Sequence, residues 1–101
     1  MANTFKLYQS NSVVTETVVF TCPAATAATL IGLTVANTSG ADTVVDVKVN
    51  NSYVLKGAYV NAGSSLVPVG GEQKIVVEEA GTVSVIADHS VDVTCSVLEI
   101  N

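Results

Sequence analysis

The residues of this chain that could perform chemistry are few and lie far apart. His89 is the single histidine, and its neighbours Asp88 and Ser90 would form an acid, base and nucleophile set if their side chains met. Adjacent residues in a strand or turn point in different directions, however, so these three cannot form a nucleophilic relay. We therefore expect His89 to lie in an exposed turn and predict no catalytic residues.

The nine acidic residues show no pattern typical of a catalytic or metal-binding site. Glu78 and Glu79 are neighbours, but neighbouring carboxylates diverge at a strand end, whereas acid–base catalysis needs carboxylates that converge in a cleft. A calcium loop would be denser in Asp and Asn than the pair Asn50 and Asn51. We expect the acidic side chains to be solvated surface groups and predict no bound metal or cofactor.

Two cysteines and a glycine pair complete the candidates. One histidine with two isolated cysteines lacks the ligand spacing of a zinc site. Cys22 and Cys95 leave open a disulfide or two free thiols. Residues 1–10 lack a basic segment followed by an apolar run, so no export signal is expected and buried thiols are favoured. Gly70 and Gly71 precede a predicted strand rather than a helix, which favours a turn over a phosphate-binding loop.

Composition argues against several classes of function. The chain has four lysines, no arginine and a net charge of -5. Because recognition of phosphates and base edges depends heavily on arginine, direct binding to nucleic acid is disfavoured. No apolar run approaches the roughly 18 residues of a membrane-spanning helix, so no membrane contact is predicted. Hydrophobic residues make up 49% of the chain and are mostly valine, which is typical of strands.

Turn signals recur at the short intervals typical of all-β folds. The apolar and polar residues alternate between these turns, which predicts one buried and one solvated side for each strand. Residues 1–101 are therefore predicted to form a single all-β domain, an antiparallel β-sandwich or jelly-roll-like barrel. It should contain eight or nine short strands, at residues 5–9, 13–21, 30–37, 43–49, 53–61, 65–69, 73–78, 82–87 and 90–99.

Local signals add four expectations about how these strands connect. The strands at 30–37 and 43–49 are separated by five residues, which predicts a β-hairpin. Gly57 interrupts its strand, which predicts a β-bulge. Pro68 places its strand at a sheet edge. Pro23 and the threonines that follow it predict an irregular loop through residue 29.

Four residues are candidates for a partner interface. The odd-numbered residues from 91 to 97 are predicted to face inward. Leu98 and Ile100 are large apolar residues on the opposite side, which predicts either a bulge or a second contact surface. Tyr53 and Tyr59 lie six residues apart and share a face if no bulge intervenes. They either line a partner surface, where tyrosine offers contact area with a polar tip, or cap the edge of the core.

Between residues 30 and 100 the strands and turns resemble those of a known family. The similar segments are TVANTSGA at 34–41, NAGSSLV at 61–67, GGEQKIVVE at 70–78, AGTV at 80–83 and SVDVTCSVLEI at 90–100. This pattern resembles a group of small β-rich virion structural proteins of tailed bacteriophages, especially phages of marine bacteria.

The resemblance implies a non-enzymatic part of a virion, assembled in the host cytoplasm. A capsid decoration or cement protein that stabilises the head suits a compact chain of this size. A tail, neck or fibre-associated module is the alternative. The implied partners are the major capsid protein or other virion proteins, with further copies of the chain in a homo-oligomer. A carbohydrate- or receptor-binding module, from a different class, would be favoured by glycan binding to the isolated monomer.

Overall fold

The computed structural model of the chain describes residues 3–70 and 74–101. Within these residues the backbone forms strands and no helix, as the valine-rich alternation predicted. The prediction of an all-β chain with eight or nine strands is confirmed. The nine strands are β1 (Asn3–Val13), β2 (Thr17–Thr21), β3 (Ala27–Asn37), β4 (Thr43–Val49), β5 (Ser52–Val60), β6 (Ser65–Val69), β7 (Ile75–Val77), β8 (Thr82–Ala87) and β9 (Val91–Ile100).

The strands form two antiparallel sheets packed face to face. The first sheet has the order β1-β9-β3-β6, and β7 pairs with β3 further along its length. The second sheet has the order β2-β8-β4-β5. The edges of the sandwich are therefore β1 with β6 and β7 in the first sheet, and β2 with β5 in the second.

The order of pairing shows how the chain wraps. β4 pairs with β5, β3 with β6 and β7, β2 with β8, and β1 with β9, so the chain runs as one long antiparallel ribbon closed at the β4–β5 turn. Successive pairs along this ribbon alternate between the two sheets. A ribbon wrapped in this way is a jelly roll. The predicted sandwich or jelly-roll-like architecture is confirmed.

The core lies between the sheets and is built mostly from valine. Leu30, Leu33 and Phe20 are its largest members. The alternating burial of β4 and β9 continues along the whole of each strand, because every second side chain enters the core. Phe20 is the one aromatic ring among the buried core residues that the structure describes, and branched side chains from the two facing sheets fill most of the space between them.

The predicted hairpin between the strands at 30–37 and 43–49 is wrong. β3 lies in the first sheet and β4 in the second, so the connection between them crosses from one sheet to the other. The buried side chain of Asn37 holds this corner: its Nδ2 donates to the carbonyl oxygens of Ala41 at 2.8 Å and Val60 at 3.0 Å. Its Oδ1 accepts a hydrogen bond from the Ser39 amide at 3.0 Å. Five connecting residues therefore form a corner here rather than a hairpin loop.

Other local expectations are confirmed or corrected at single residues. Asn50 and Asn51 both have positive φ and form the two-residue β4–β5 turn, as a type I′ turn requires. Gly57 has φ 68° at a shift in the β4–β5 register, so the predicted bulge is confirmed. Pro68 lies on edge strand β6, as predicted. The loop predicted through residue 29 is wrong at its end, because β3 already begins at Ala27. The predicted strand at 73–78 and turn at Gly70 and Gly71 lie partly outside the described residues.

Candidate partner-binding surface

The outer surface of the first sheet carries a row of side chains across four strands. The register places Phe5 of β1 opposite Leu98 of β9. Leu98 lies opposite Thr29 of β3, which in turn lies opposite Val76 of β7. Residues opposite one another in a sheet point to the same side. Since Val97, next to Leu98, is fully buried, this row faces away from the core.

Three of the four side chains in this row are apolar, and the two at its ends are exposed. Phe5 is 73% exposed, Val76 is 65% exposed, and Leu7, the next outward residue of β1, is 59% exposed. Ile100 is the next outward residue of β9 beyond Leu98 and lies half-buried beside it. We call the surface formed by Phe5, Leu7, Val76, Leu98 and Ile100 the apolar face. Contiguous exposed apolar surface on a soluble domain commonly marks a contact site.

The bulge that was one explanation for Leu98 and Ile100 is wrong. The β1–β9 register runs without a shift from the pair Asn3 and Ile100 to the pair Ser10 and Val93. Alternation continues to the end of β9, which turns Leu98 and Ile100 outward. The other explanation, a second contact surface, stays a prediction, as does the role of these two residues in a partner interface.

The outer side of the second sheet carries two ion pairs. Lys48 Nζ lies 3.3 Å from Glu16 Oε1, and Lys56 Nζ lies 3.5 Å from Asp46 Oδ2. We call the surface formed by these four residues the charged face. The ring of Tyr53 lies within it, with Lys56 Nζ 4.4 Å and Lys48 Nζ 5.2 Å from the ring centroid. Contact with Tyr53 and the charge of Asp46 raise the pKa of Lys56.

Tyr53 and Tyr59 lie on this same outer side. Tyr53 is opposite Lys48 and Tyr59 is opposite Val44, so six residues of β5 span four of β4. β5 therefore has two extra residues between the tyrosines. One extra residue would reverse the side to which the following side chains point and the second restores it, so Tyr53 and Tyr59 share a face although bulges intervene. They are 48% and 76% exposed and do not cap the core. Their part in a partner interface stays a prediction, on the opposite side of the sandwich from Leu98 and Ile100.

Glu99 is the functional residue that the sequence analysis missed. It was expected to be a solvated surface acid, but it is 1% exposed. Tyr8 Oη donates a 2.5 Å hydrogen bond to Glu99 Oε2, and Lys6 Nζ lies 3.5 Å from Glu99 Oε1. Position 99 continues the inward series of Val93, Cys95 and Val97, and this parity was the signal that could have revealed its burial.

The contacts of Glu99 determine how β1 lies on the sheet. Lys6 and Tyr8 face inward to reach the carboxylate, so Phe5 and Leu7, at alternate positions, face solvent. A slip of one residue would turn Phe5 and Leu7 into the sandwich and turn Lys6 and Tyr8 away. That slip would leave a buried carboxylate without partners, which is strongly unfavourable. Glu99 therefore holds β1 in the register that displays the apolar face.

Buried titratable groups surround this contact. The hydrogen bond to Glu99, together with burial, raises the pKa of Tyr8 to about 12. Burial raises the pKa of the Cys95 thiol to about 12. Burial, and then the charge of Glu99, raises the pKa of Cys22, whose Sγ lies 3.3 Å from the carbonyl oxygen of Thr26. Both cysteines are free thiols, so the favoured alternative to a disulfide is confirmed.

Both thiols should react at least about a hundredfold more slowly in the folded chain than in denaturant. A thiol reagent attacks the thiolate, and burial both hides these groups and disfavours their ionised form. The measurement is the release of a coloured leaving group from an aromatic disulfide reagent at neutral pH, with and without urea. Rapid labelling of Cys95 in the folded protein would contradict the burial described here.

The other residues that could perform chemistry do not come together in one site. His89 is exposed in the bend between β8 and β9, as expected, and its backbone amide donates to Thr43 Oγ1 at 2.9 Å. Residues 3–70 and 74–101 contain no cavity and no cluster of three metal-ligating side chains. They also contain no helix that could cross a membrane.

Comparison with known proteins adds no relative. No family model, no curated protein and no solved structure matches this chain. The function is therefore argued from the apolar face, the charged face and the position of Glu99.

Proposed function

We propose that this chain is a non-enzymatic structural protein of a virion that works by docking through its apolar face. Within that class we favour a capsid decoration or cement protein that stabilises the head. A tail, neck or fibre-associated module is the alternative. The observation that carries the proposal is the row from Phe5 through Leu98 to Val76, which is apolar except at Thr29 although it lies on an outer side of the sandwich.

Burial of this row would supply the energy of docking. A large apolar side chain contributes about 1.5–3 kcal/mol when it passes from full exposure to full burial. Phe5, Leu7 and Val76 are each more than half exposed, so most of that free energy remains to be gained. Two packed sheets shield only their inner faces, so a single chain leaves this apolar face on the outer side of the first sheet in water.

The wrapping of the chain is compatible with this role without establishing it. Jelly rolls occur both in viral capsid domains and in lectins. Because one fold serves many functions, the site has to decide between them. The virion role is proposed from the pattern of strands and turns in residues 30–100 alone, and the apolar face supports a role in assembly.

Antibody labelling of phage particles tests the proposal. Particles of a phage that encodes the chain should carry label over the head in electron micrographs. Particles produced with a Phe5→Asp chain should lose that label, while the purified variant keeps the β-sheet circular dichroism of the normal chain. Label confined to the tail would support the alternative, and the absence of label from every particle would contradict a virion role.

A carbohydrate-binding module is a second candidate because of Tyr59. This tyrosine is 76% exposed on the outer side of the second sheet, with Tyr53 on the same side. Exposed aromatic rings offer flat apolar surface with a polar tip, which suits a sugar ring. Binding of the isolated chain to a glycan array, lost on Tyr59→Ala and kept on Phe5→Asp, would favour this candidate over docking through the apolar face.

A further inference from the structure

We propose that the apolar face is filled by a second copy of this chain, packed face to face about a two-fold axis. This inference rests on the proposed function only in taking the apolar face as an assembly surface. It adds the identity of the partner. A two-fold contact is isologous, so one surface patch must complement itself.

The distribution of charge favours a like partner at this face. The chain has a net charge of -5, so two copies repel each other wherever their acidic groups meet. None of the five side chains of the apolar face is charged. Lys74 and Glu78 flank β7 at the rim of the face, and the charged face lies on the opposite side of the sandwich. Two acidic chains can therefore meet at the apolar face without bringing like charges together at its centre.

The dimensions of the first sheet match the contact that a stable dimer needs. β1 and β3 each have 11 residues and β9 has 10. Three strands of this length about 4.8 Å apart, with the shorter β6 and β7 beside them, offer on the order of 600 Å² of flat surface; the apolar face lies at one end of it and Asp92 of β9 at the other. A standard protein interface buries about 800 Å² on each partner. A charged or strongly polar partner would gain little free energy by covering this surface, whereas a second copy that presents the same apolar surface would gain the most.

Glu99 supplies an independent reason to expect an occupant. The buried carboxylate of Glu99 contacts Tyr8 and Lys6 of β1. These contacts keep β1 in a register that exposes Phe5 and Leu7. In an isolated monomer those two side chains would gain more by facing the core. A second copy that covers Phe5 and Leu7 removes this conflict.

Sedimentation equilibrium of the purified chain over a wide range of concentration is the test. The normal chain should dimerise, and Phe5→Ser should weaken dimerisation by at least about thirtyfold, the loss typical of a residue central to an interface. Val76→Ser should have a similar effect. Tyr59→Ser is the matched control, because Tyr59 is 76% exposed against 73% for Phe5 but lies on the opposite side. It should leave the dimer unchanged.

Three results would overturn the proposal. The first is a chain that stays monomeric at the highest concentration reached. The second is a dimer lost on Tyr59→Ser but kept on Phe5→Ser. The third is a dimer that Val76→Ser leaves unchanged, since Val76 lies three strands from the β1 edge and pairing between β1 edges would not involve it.

The outcome separates this inference from the proposed function. A monomeric chain that still labels phage heads would contradict the second copy and leave the virion role standing. A dimer with the expected variant pattern, but no label on any particle, would support the second copy and contradict the virion role. Circular dichroism of each serine variant shows whether lost dimerisation reflects unfolding; a folded, monomeric Phe5→Ser chain supports the proposal, and an unfolded one contradicts the exposure of Phe5.

Discussion

Raising the pH from 9 to 12 should lower the free energy of unfolding by about 3 kcal/mol through Cys95 alone. Burial raises the pKa of this thiol from 9.0 to about 12, so the folded chain keeps a proton that the unfolded chain releases. The stabilising contribution is complete below pH 9, where both forms are protonated. It is lost as the pH rises towards 12, because the unfolded chain then binds fewer protons. Tyr8 acts in the same direction from its ordinary value of 10.0 upwards.

Urea unfolding at a series of pH values, with a reductant present, measures this loss. Cys95→Ala should lower stability at every pH because it leaves a small cavity, but its free energy should fall less steeply above pH 9. Ser96→Ala, at the next position of β9, removes no titratable group and should keep the normal slope. Parallel curves for Cys95→Ala and the normal chain would show that the Cys95 thiol does not carry the effect.

Alternation along single strands was enough to predict most of the fold. β4 and β8 were predicted to the residue, because each carries a buried valine or alanine at successive alternate positions and is bounded by turn residues. Asn50 and Asn51 were recognised as a turn for a similar local reason, since asparagine tolerates positive φ. Signals of this kind need only neighbouring residues.

Pairing between strands could not be predicted in the same way. A connection of five residues fits a hairpin as well as a crossing between sheets, and the hydrogen bonds of Asn37 to Ala41 and Val60 decide between them. The bulge at Ile31 is another case: it lies between the pairs that Leu30 and Gly32 make with β9, and it leaves Ile31 only half-buried between the buried Leu30 and Leu33. Both outcomes depend on contacts with distant residues.

The candidate surface was predicted in part. The parity of β9 placed Leu98 and Ile100 on the side opposite Val91–Val97, and the structure agrees. The outward direction of Phe5 depends on Tyr8 meeting Glu99, 91 residues away in the sequence. An expectation that charged residues face solvent concealed Glu99, although the same parity argument placed it inward. Buried carboxylates are identified by their partners, and the partners are visible only in the folded chain.

Removing both partners of Glu99 should destabilise the chain by about 3–5 kcal/mol, because it leaves a buried carboxylate unpaired. The variant is Lys6→Met with Tyr8→Phe, in which Glu99 loses its 3.5 Å ion pair and its 2.5 Å hydrogen bond. Adding Glu99→Leu should restore most of the lost stability, since the charge that needed partners is then gone. Urea unfolding at neutral pH measures all three chains.

Lys48→Met is the matched control for this prediction. Lys48 lies 3.3 Å from Glu16, closer than Lys6 lies to Glu99, but the Glu16 side chain is 46% exposed and that of Glu99 is 2% exposed. An exposed pair contributes about 0–1 kcal/mol, so burial rather than distance should decide the size of the effect. If Lys48→Met lowers the free energy of unfolding as much as Lys6→Met with Tyr8→Phe does, Glu99 does not hold β1, and the outward direction of Phe5 and Leu7 needs another cause. If the triple variant regains stability but no longer dimerises, β1 has slipped and Glu99 is what displays the apolar face.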